Sequence, residues 1–431
     1  MFKLLGFLGL LLASSSTFAQ QQMTPEMLIE LNRVSPIGIS HDGLNVIYRV
    51  SQVSVEANKS TSKLYILPVA GGTPRELNNY ADFIPGDPMV SPDGKYKLEA
   101  EEVKMQAVFG TDYYPELTQS KVQIYNELNY RHWDTWEDGA FGHLFIENIA
   151  TGERIDIMEN EPYDCPQKPF GGSEDYQWSP DGKSVVYVCK KKSGTAYAVS
   201  TNTDIYQYDI ATGKTSNLTV GNLGYDTHPS FSPDGQMMAW LSMKRDGYES
   251  DKNDIVVLIK GMEMNLTAHW DGTVESFTFS KDNKKIYFTA PIGGTVQLFE
   301  IPVPVPGKTN TLEKTGLPKQ LTSGEFDIRG IVGQAGNSLI LGRGDMNHAT
   351  ELYTFDLKKG GMVQLTHAND EIYASLQLSK VEKRIIKTTD GKDMLTWVIY
   401  PPDFDPTKKY PTLLYCQGGP QGALSQFYSY R

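Results

Sequence analysis

Turn signals of the form Ser-x-Asp-Gly recur along the chain, each followed by an alternating apolar run, and this recurrence narrows the fold more than any other feature. The copies are Ser40-His41-Asp42-Gly43, Ser91-Pro92-Asp93-Gly94, Ser179-Pro180-Asp181-Gly182 and Ser232-Pro233-Asp234-Gly235. A degenerate Ser280-Lys281-Asp282-Asn283 follows, and Gln334-Ala335-Gly336-Asn337 supplies a sixth. Proline presets φ and glycine accepts φ > 0, so each copy predicts a hairpin turn between two strands. A second signal runs out of phase with the first: Leu218-Thr219, Leu266-Thr267, Leu321-Thr322 and Leu365-Thr366. Between the two, Asp204 to Asp209 and Glu351 to Asp356 alternate polar and apolar and then turn at Gly213 and Gly360, the pattern of middle strands. From Ser179 onward the turns lie 53, 48 and 54 residues apart, the period of one four-stranded blade. An all-β chain built as a β-propeller of six to seven blades is the economical reading. A sandwich array with unrelated Ser-Pro turns leaves the two phased signals unexplained. The four turn aspartates, Asp42, Asp93, Asp181 and Asp234, are read as structural, because the turn itself explains their recurrence.

Two regions break the period. Ser91 and Ser179 are 88 residues apart, which points to an insertion from about Lys95 to Gly139 and to a seventh blade only if the insertion hides one. It contains His132-Trp133-Asp134-Thr135-Trp136, whose tryptophans read more readily as anchors to the core than as an aromatic wall. From Val381 the pattern changes to a hairpin, with Arg384 to Thr388 and Met394 to Tyr400 about a turn at Asp390-Gly391. Pro401-Pro402 follows, then a strand-like run, Leu413 to Cys416, leading into the tight turn Gln417-Gly418-Gly419-Pro420. At the other end, Thr24-Pro25-Glu26 predicts a short lead-in helix to about Asn32.

Charge and targeting exclude several classes of function. A formal net charge of −12 offers no clustered cations to grip phosphate backbones, so nucleic acid is not an expected partner. Met1 to Ala19 carries Lys3, an apolar run and a small residue at a cut site, the layout of a secretory signal. The chain is therefore expected to be exported, periplasmic or secreted, with no membrane span once the signal is removed. Three cysteines, Cys165, Cys189 and Cys416, do not make a disulfide framework; a Cys165 to Cys189 bridge and a buried thiol at Cys189 both fit, the buried thiol more simply. No metal-binding motif is present, so neither metal nor other cofactor is expected.

The Gln417 turn leaves backbone N–H groups uncommitted and could receive an oxyanion. Serine-based hydrolysis on an α/β sheet calls for a Gly-x-Ser-x-Gly elbow followed by an acid and a late histidine. No serine here sits in that setting, and all seven histidines precede Gln417. Carboxylates outside the repeat phase are the other candidates: Glu174-Asp175, ahead of a strand, and Glu249 in Gly247-Tyr248-Glu249-Ser250-Asp251. Solvated loop acids is the plain reading; binding a substrate ammonium group is the sharper one.

At this point the residues resemble a family. The propeller signals, the Tyr410 to Gly422 stretch, His132-Trp133-Asp134-Thr135-Trp136, Gly172-Ser173-Glu174-Asp175, Ser200-Thr201-Asn202-Thr203-Asp204, Arg245 to Asp251 and Gln426 to Arg431 are similar to the prolyl oligopeptidase family of serine peptidases, in its dipeptidyl peptidase branch. The resemblance implies a propeller over an α/β-hydrolase domain, peptide substrates, and release of dipeptides from free N-termini. It implies that Gln417, Gly418 and Gly419 form one side of the oxyanion hole, where relatives often carry His or Tyr at the Gln417 position. The organisation expected is a signal over 1–19, lead-in helix and propeller over 20–380, and the first strands of an incomplete α/β-hydrolase domain over 381–431. Such a domain takes roughly two hundred residues, against 51 from Val381 onward. The triad is therefore expected beyond Arg431 and the chain as given is expected to be inactive. The alternative is a stand-alone periplasmic propeller that binds partners; a propeller glycosidase or lyase would need two facing carboxylates that sequence cannot pair.

Overall fold

A computed structural model describes residues 21–84, 86–304, 316–416, 418 and 422–430. The predicted signal, and Gln417 and Gly419 of the oxyanion turn, lie outside these residues. Pro25–Glu30 is the lead-in helix, with the Thr24 hydroxyl accepting from Met27 N at 3.2 Å. Six antiparallel sheets follow in chain order, five of four strands and one, the second, of three. Val90 bridges Lys97 beside that second sheet and marks where its first strand shrinks to a single pair.

The Ser-x-Asp-Gly turns close hairpins as predicted. In each of five copies the serine Oγ donates to the aspartate Oδ1 at 2.5–2.7 Å, and that oxygen also accepts a backbone N–H two residues on, Leu44 N at 2.9 Å in the first. Gly182 and Gly235 both sit at φ +68, a region open to glycine at little steric cost. The Leu-Thr signal has an equally local cause. The outer strand ends, the leucine N–H still pairs with the third strand, and the threonine hydroxyl then accepts the next N–H of that strand. Ile205, Ile255, Leu298 and Leu352 donate in this way to Thr219, Thr267, Thr322 and Thr366 at 2.8–3.0 Å.

From the second sheet onward, each sheet packs apolar faces on the next. Leu144 and Ile146 of the second meet Tyr187 of the third, Val188 of the third meets Trp240 of the fourth, and Leu241 of the fourth meets Phe288 of the fifth. Leu298 of the fifth meets Leu341 of the sixth, and the sixth packs on the first through Ile340 and Leu352 against Val46 and Leu67. This is the arrangement of a β-propeller. Side-chain amides tie the join between sixth and first: Asn32 N donates to Asn369 Oδ1 at 2.8 Å and Asn369 Nδ2 returns a bond to Asn32 O at 2.9 Å.

Three sequence expectations are corrected. The insertion starts after Lys104, because Tyr96–Lys104 is a full strand of the second sheet; it carries only two two-residue strands, Arg131–His132 and Thr135–Trp136, and no sheet of blade size. Trp133 and Trp136 are exposed at 69% and 46% rather than anchored in the core, because the hairpin that carries them projects from the sheets. Leu413 to Cys416 forms no strand: no neighbouring strand among the described residues offers it a ladder, and Leu413 and Leu414 are 98% and 84% exposed.

Val381–Lys387 and Asp393–Ile399 form the predicted hairpin, held to the fifth sheet by Lys383 Nζ donating to Gly293 O at 2.6 Å. The Ser425 hydroxyl donates to Asp327, the first residue of the sixth sheet, at 2.6 Å. These contacts define a face. Loops from second to third strand, and connections from one sheet to the next, lie on the side that carries the 381–399 hairpin and Ser425; the Ser-x-Asp-Gly turns lie on the other.

Candidate functional site

The loops on the face that carries the 381–399 hairpin and Ser425 hold the carboxylates singled out from sequence, but in different states. In the loop after Met237–Ser242, Arg245 clasps Asp251 through Nε at 2.9 and 3.0 Å and lies 3.9 Å over the Tyr248 ring. Asp246 accepts from the Ser200 hydroxyl at 2.6 Å and Thr201 N at 2.8 Å, and Gly247 N donates to Thr201 Oγ1 at 3.0 Å. The base of the loop is thus fixed on both sides. Glu249 stands exposed at its tip, and among the described residues its carboxylate has no hydrogen bond or ion pair.

Glu174 and Asp175 form a 3-10 turn, Ser173–Asp175, entering the third sheet. Asp175 is 2% exposed and accepts from Gln167 N at 2.9 Å. Burial pushes its carboxyl from an ordinary 3.8 up to about 7, partly offset by that hydrogen bond. It supports the loop and has no free face for a ligand. Glu174 is exposed and lies near His228, whose imidazole burial pulls down in pKa while Glu174 pushes it up. His228 is a non-glycine residue at φ 56 in the bulge of the fourth sheet's first strand. The structure therefore separates the pair, one acid inward and one outward, as adjacent residues at a strand entry do. Gly418 is exposed with open space around it.

A cavity of about 330 Å³ lies on the same face beneath the insertion, and sequence reading did not find it. Tyr125, Tyr130 and Trp136 pack with ring centroids 5.4–5.9 Å apart, and the Tyr125 hydroxyl donates to Glu137 O at 2.6 Å. Glu137, Glu127 and Asp164 line the cavity with Tyr125, Tyr130 and Tyr197. Asp164 is neutralised by Lys168 Nζ at 3.0 Å and accepts Gly142 N at 2.8 Å. The Glu137 carboxylate has no hydrogen bond or ion pair among the described residues; desolvation, then the nearby Asp164, raises its pKa, with Lys168 acting the other way. The one sequence signal was an acid beside Trp136, which is indistinguishable from a solvated loop acid until the chain folds back over it.

Among the described residues no group of three or more His, Cys, Asp and Glu is placed to hold a metal ion, and no helix is long and apolar enough to cross a membrane. Cys165 and Cys189 are buried free thiols, their pKa values raised by burial.

Comparison with known proteins places this arrangement. The chain is 37% identical over 472 aligned residues to dipeptidyl-peptidase 5 of Porphyromonas gingivalis, covering 97% of this chain and 66% of that protein. It is 36% identical to dipeptidyl-peptidase 5 of Porphyromonas endodontalis with the same coverage. The chain belongs to the prolyl oligopeptidase family. It spans about two thirds of the length of these relatives. No protein-family model matches it. In fold, this family member is similar to Pyrococcus horikoshii acylaminoacyl peptidase, with a TM-score of 0.66, 16% identity, and coverage of 95% of this chain and 64% of that one.

Proposed function

We propose that the chain is the substrate-selecting part of an exported serine-type dipeptidyl peptidase, with its six sheets as six blades over 20–380 and residues 381–431 belonging to the α/β-hydrolase part. Glu249 is the anchor for the free N-terminal ammonium of a peptide, with Glu174 as a second acid on the same face and Gln417, Gly418 and Gly419 as one side of an oxyanion hole. The observation that carries this is the braced loop. A carboxylate without a hydrogen bond or ion pair among the described residues, on a loop braced by the Arg245–Asp251 clasp and by Asp246 on the neighbouring loop, is placed for a cation with less loop entropy to lose on binding one. The dipeptidyl-peptidase 5 relatives support the choice of substrate. Hydrolysis also needs a nucleophile elbow of the Gly-x-Ser-x-Gly kind; the residues assigned here are binding residues.

The test is equilibrium binding of a dipeptide amide, with and without N-acetylation, to the chain and to its Glu249→Gln variant. The free amine form is expected to bind more tightly, and the variant to lose about tenfold, the worth of one charge-assisted contact. Equal binding of the acetylated peptide would sink the amine-anchor role and favour a partner-binding propeller. Release of dipeptide from a chromogenic substrate, abolished by a serine-directed inhibitor, would contradict the assignment of binding alone.

A further inference from the structure

The cavity beneath the insertion holds a half-buried carboxylate, Glu137, with no ion pair among the described residues, set among aromatic rings, and the amine anchor at Glu249 makes no use of it. We propose that this cavity is a second binding site, for an alkylammonium group of lysine type. The reading rests on peptides being the ligands of this face.

Three observations point to that ligand chemistry. The volume, about 330 Å³, is within the range of small-ligand pockets, roughly 300–1,000 Å³. Its acids are only partly compensated: Lys168 is committed to Asp164 at 3.0 Å and Glu102 at 3.1 Å, and Lys192 at the rim also acts on Asp246. This leaves Glu137 and Glu127 for a cation. Glu127, exposed, lies with its carboxylate against Gly194. The rings of Tyr125 and Tyr130 complete the lining with Tyr197, over which Lys190 Nζ already lies at 4.0 Å; faces such as those of Tyr125 and Tyr130 accept an alkyl stem by apolar contact and an ammonium by cation–π attraction. An anion would meet the Glu137 and Glu127 carboxylates, and a purely apolar ligand would leave Glu137 desolvated without a hydrogen-bond partner.

The ammonium could come from a lysine side chain or from a peptide N-terminus, and titration calorimetry on the chain separates them. Nα-acetyl-lysine N-methylamide carries only the side-chain amine, Nα-acetyl-norleucine N-methylamide lacks it, and alanyl-alanine amide carries only the α-amine. The expected result is binding of the lysine compound, with at least about tenfold weaker binding of the norleucine compound and a comparable loss for Glu137→Gln. Alanyl-alanine amide should be unaffected by Glu137→Gln and weakened by Glu249→Gln. Equal affinity for the lysine and norleucine compounds overturns the proposal, and that comparison needs no variant, so a poorly folded Glu137→Gln protein cannot obscure it. Loss of alanyl-alanine amide binding in Glu137→Gln alone would make the cavity the N-terminal site and overturn the lysine-type assignment. A failure confined to Glu249→Gln would count against the amine anchor and leave the cavity standing.

Discussion

Thr267 shows how much a single hydroxyl does in this fold. It accepts from Ile255 N at 3.0 Å and donates to Asp254 Oδ1 at 2.7 Å, at 1% exposure. Thr267→Val keeps the shape but leaves the buried Ile255 N–H without its acceptor, while Asp254 Oδ1 keeps Lys252. A loss of about 1–3 kcal/mol is expected, read from the shift in the denaturant midpoint, and a shift near zero would show that the hydroxyl is dispensable. Asp175 tests burial in another way. Its carboxyl is raised from 3.8 to about 7, so between these values the folded chain holds a proton that the unfolded chain has lost. Its contribution to stability is therefore fully present below about pH 4 and is lost as pH rises towards 7. Asp175→Asn should flatten that part of the stability curve; an unchanged slope from pH 4 to 7 would assign the slope to other groups. Neither role could be read from sequence. Leu266-Thr267 was visible as a recurring pair, but the strand that donates to it was not, and Asp175 looked like its exposed neighbour Glu174.

At the level of elements, turns were legible and contacts between loops were not. Ser-Pro-Asp-Gly encodes its own geometry in four adjacent residues, so each hairpin was predicted in place. The insertion is defined instead by its closure: Met105 N and Gln106 N both donate to Gly139 O, at 2.8 and 3.0 Å. Gly139 lies at φ +83, and a Cβ there would come 2.2 Å from Gln106 O. Gly139→Ala combines a strained backbone with a backbone clash, and a cost of about 2 kcal/mol or more is expected. The check is limited proteolysis, with faster nicking within 105–139 and little change elsewhere; uniform nicking would mean that the insertion and sheets unfold together. Sequence placed the start of this insertion too early, because Tyr96–Lys104, rich in Lys and Glu, lacks the apolar alternation of the other strands.

For the molecule as a whole, the first and sixth sheets meet through packing and a small amide network rather than through a strand shared between the chain's two ends. Asn369, 1% exposed, bonds both backbone groups of Asn32, and Gln21 pairs with Leu376 beside it. Asn369→Ala strips both partners at once and should cost about 2–4 kcal/mol, the sum of two buried polar groups left short. Differential scanning calorimetry should show this as a lower Tm; a transition that splits in two would mean that the join couples otherwise independent halves. The braced Glu249 loop and the cavity at Glu137 lie away from that join: their residues come from the second, third and fourth sheets, which pack on one another in chain order.

Sequence by itself determined the β-rich architecture, the turn positions, the hairpin after Val381 and the family. These rest on local backbone preferences and short-range patterns, which adjacent residues carry in full. It also singled out Glu249, Glu174 and Asp175 without ranking them. Only the tertiary structure decided that Asp175 is buried while Glu174 and Glu249 face solvent, that the two tryptophans project from the sheets, and that Glu137 ends in a cavity without an ion pair among the described residues. The physical reason is that burial and the pairing of charges are properties of neighbours in space, and those neighbours lie tens to hundreds of residues apart in the chain.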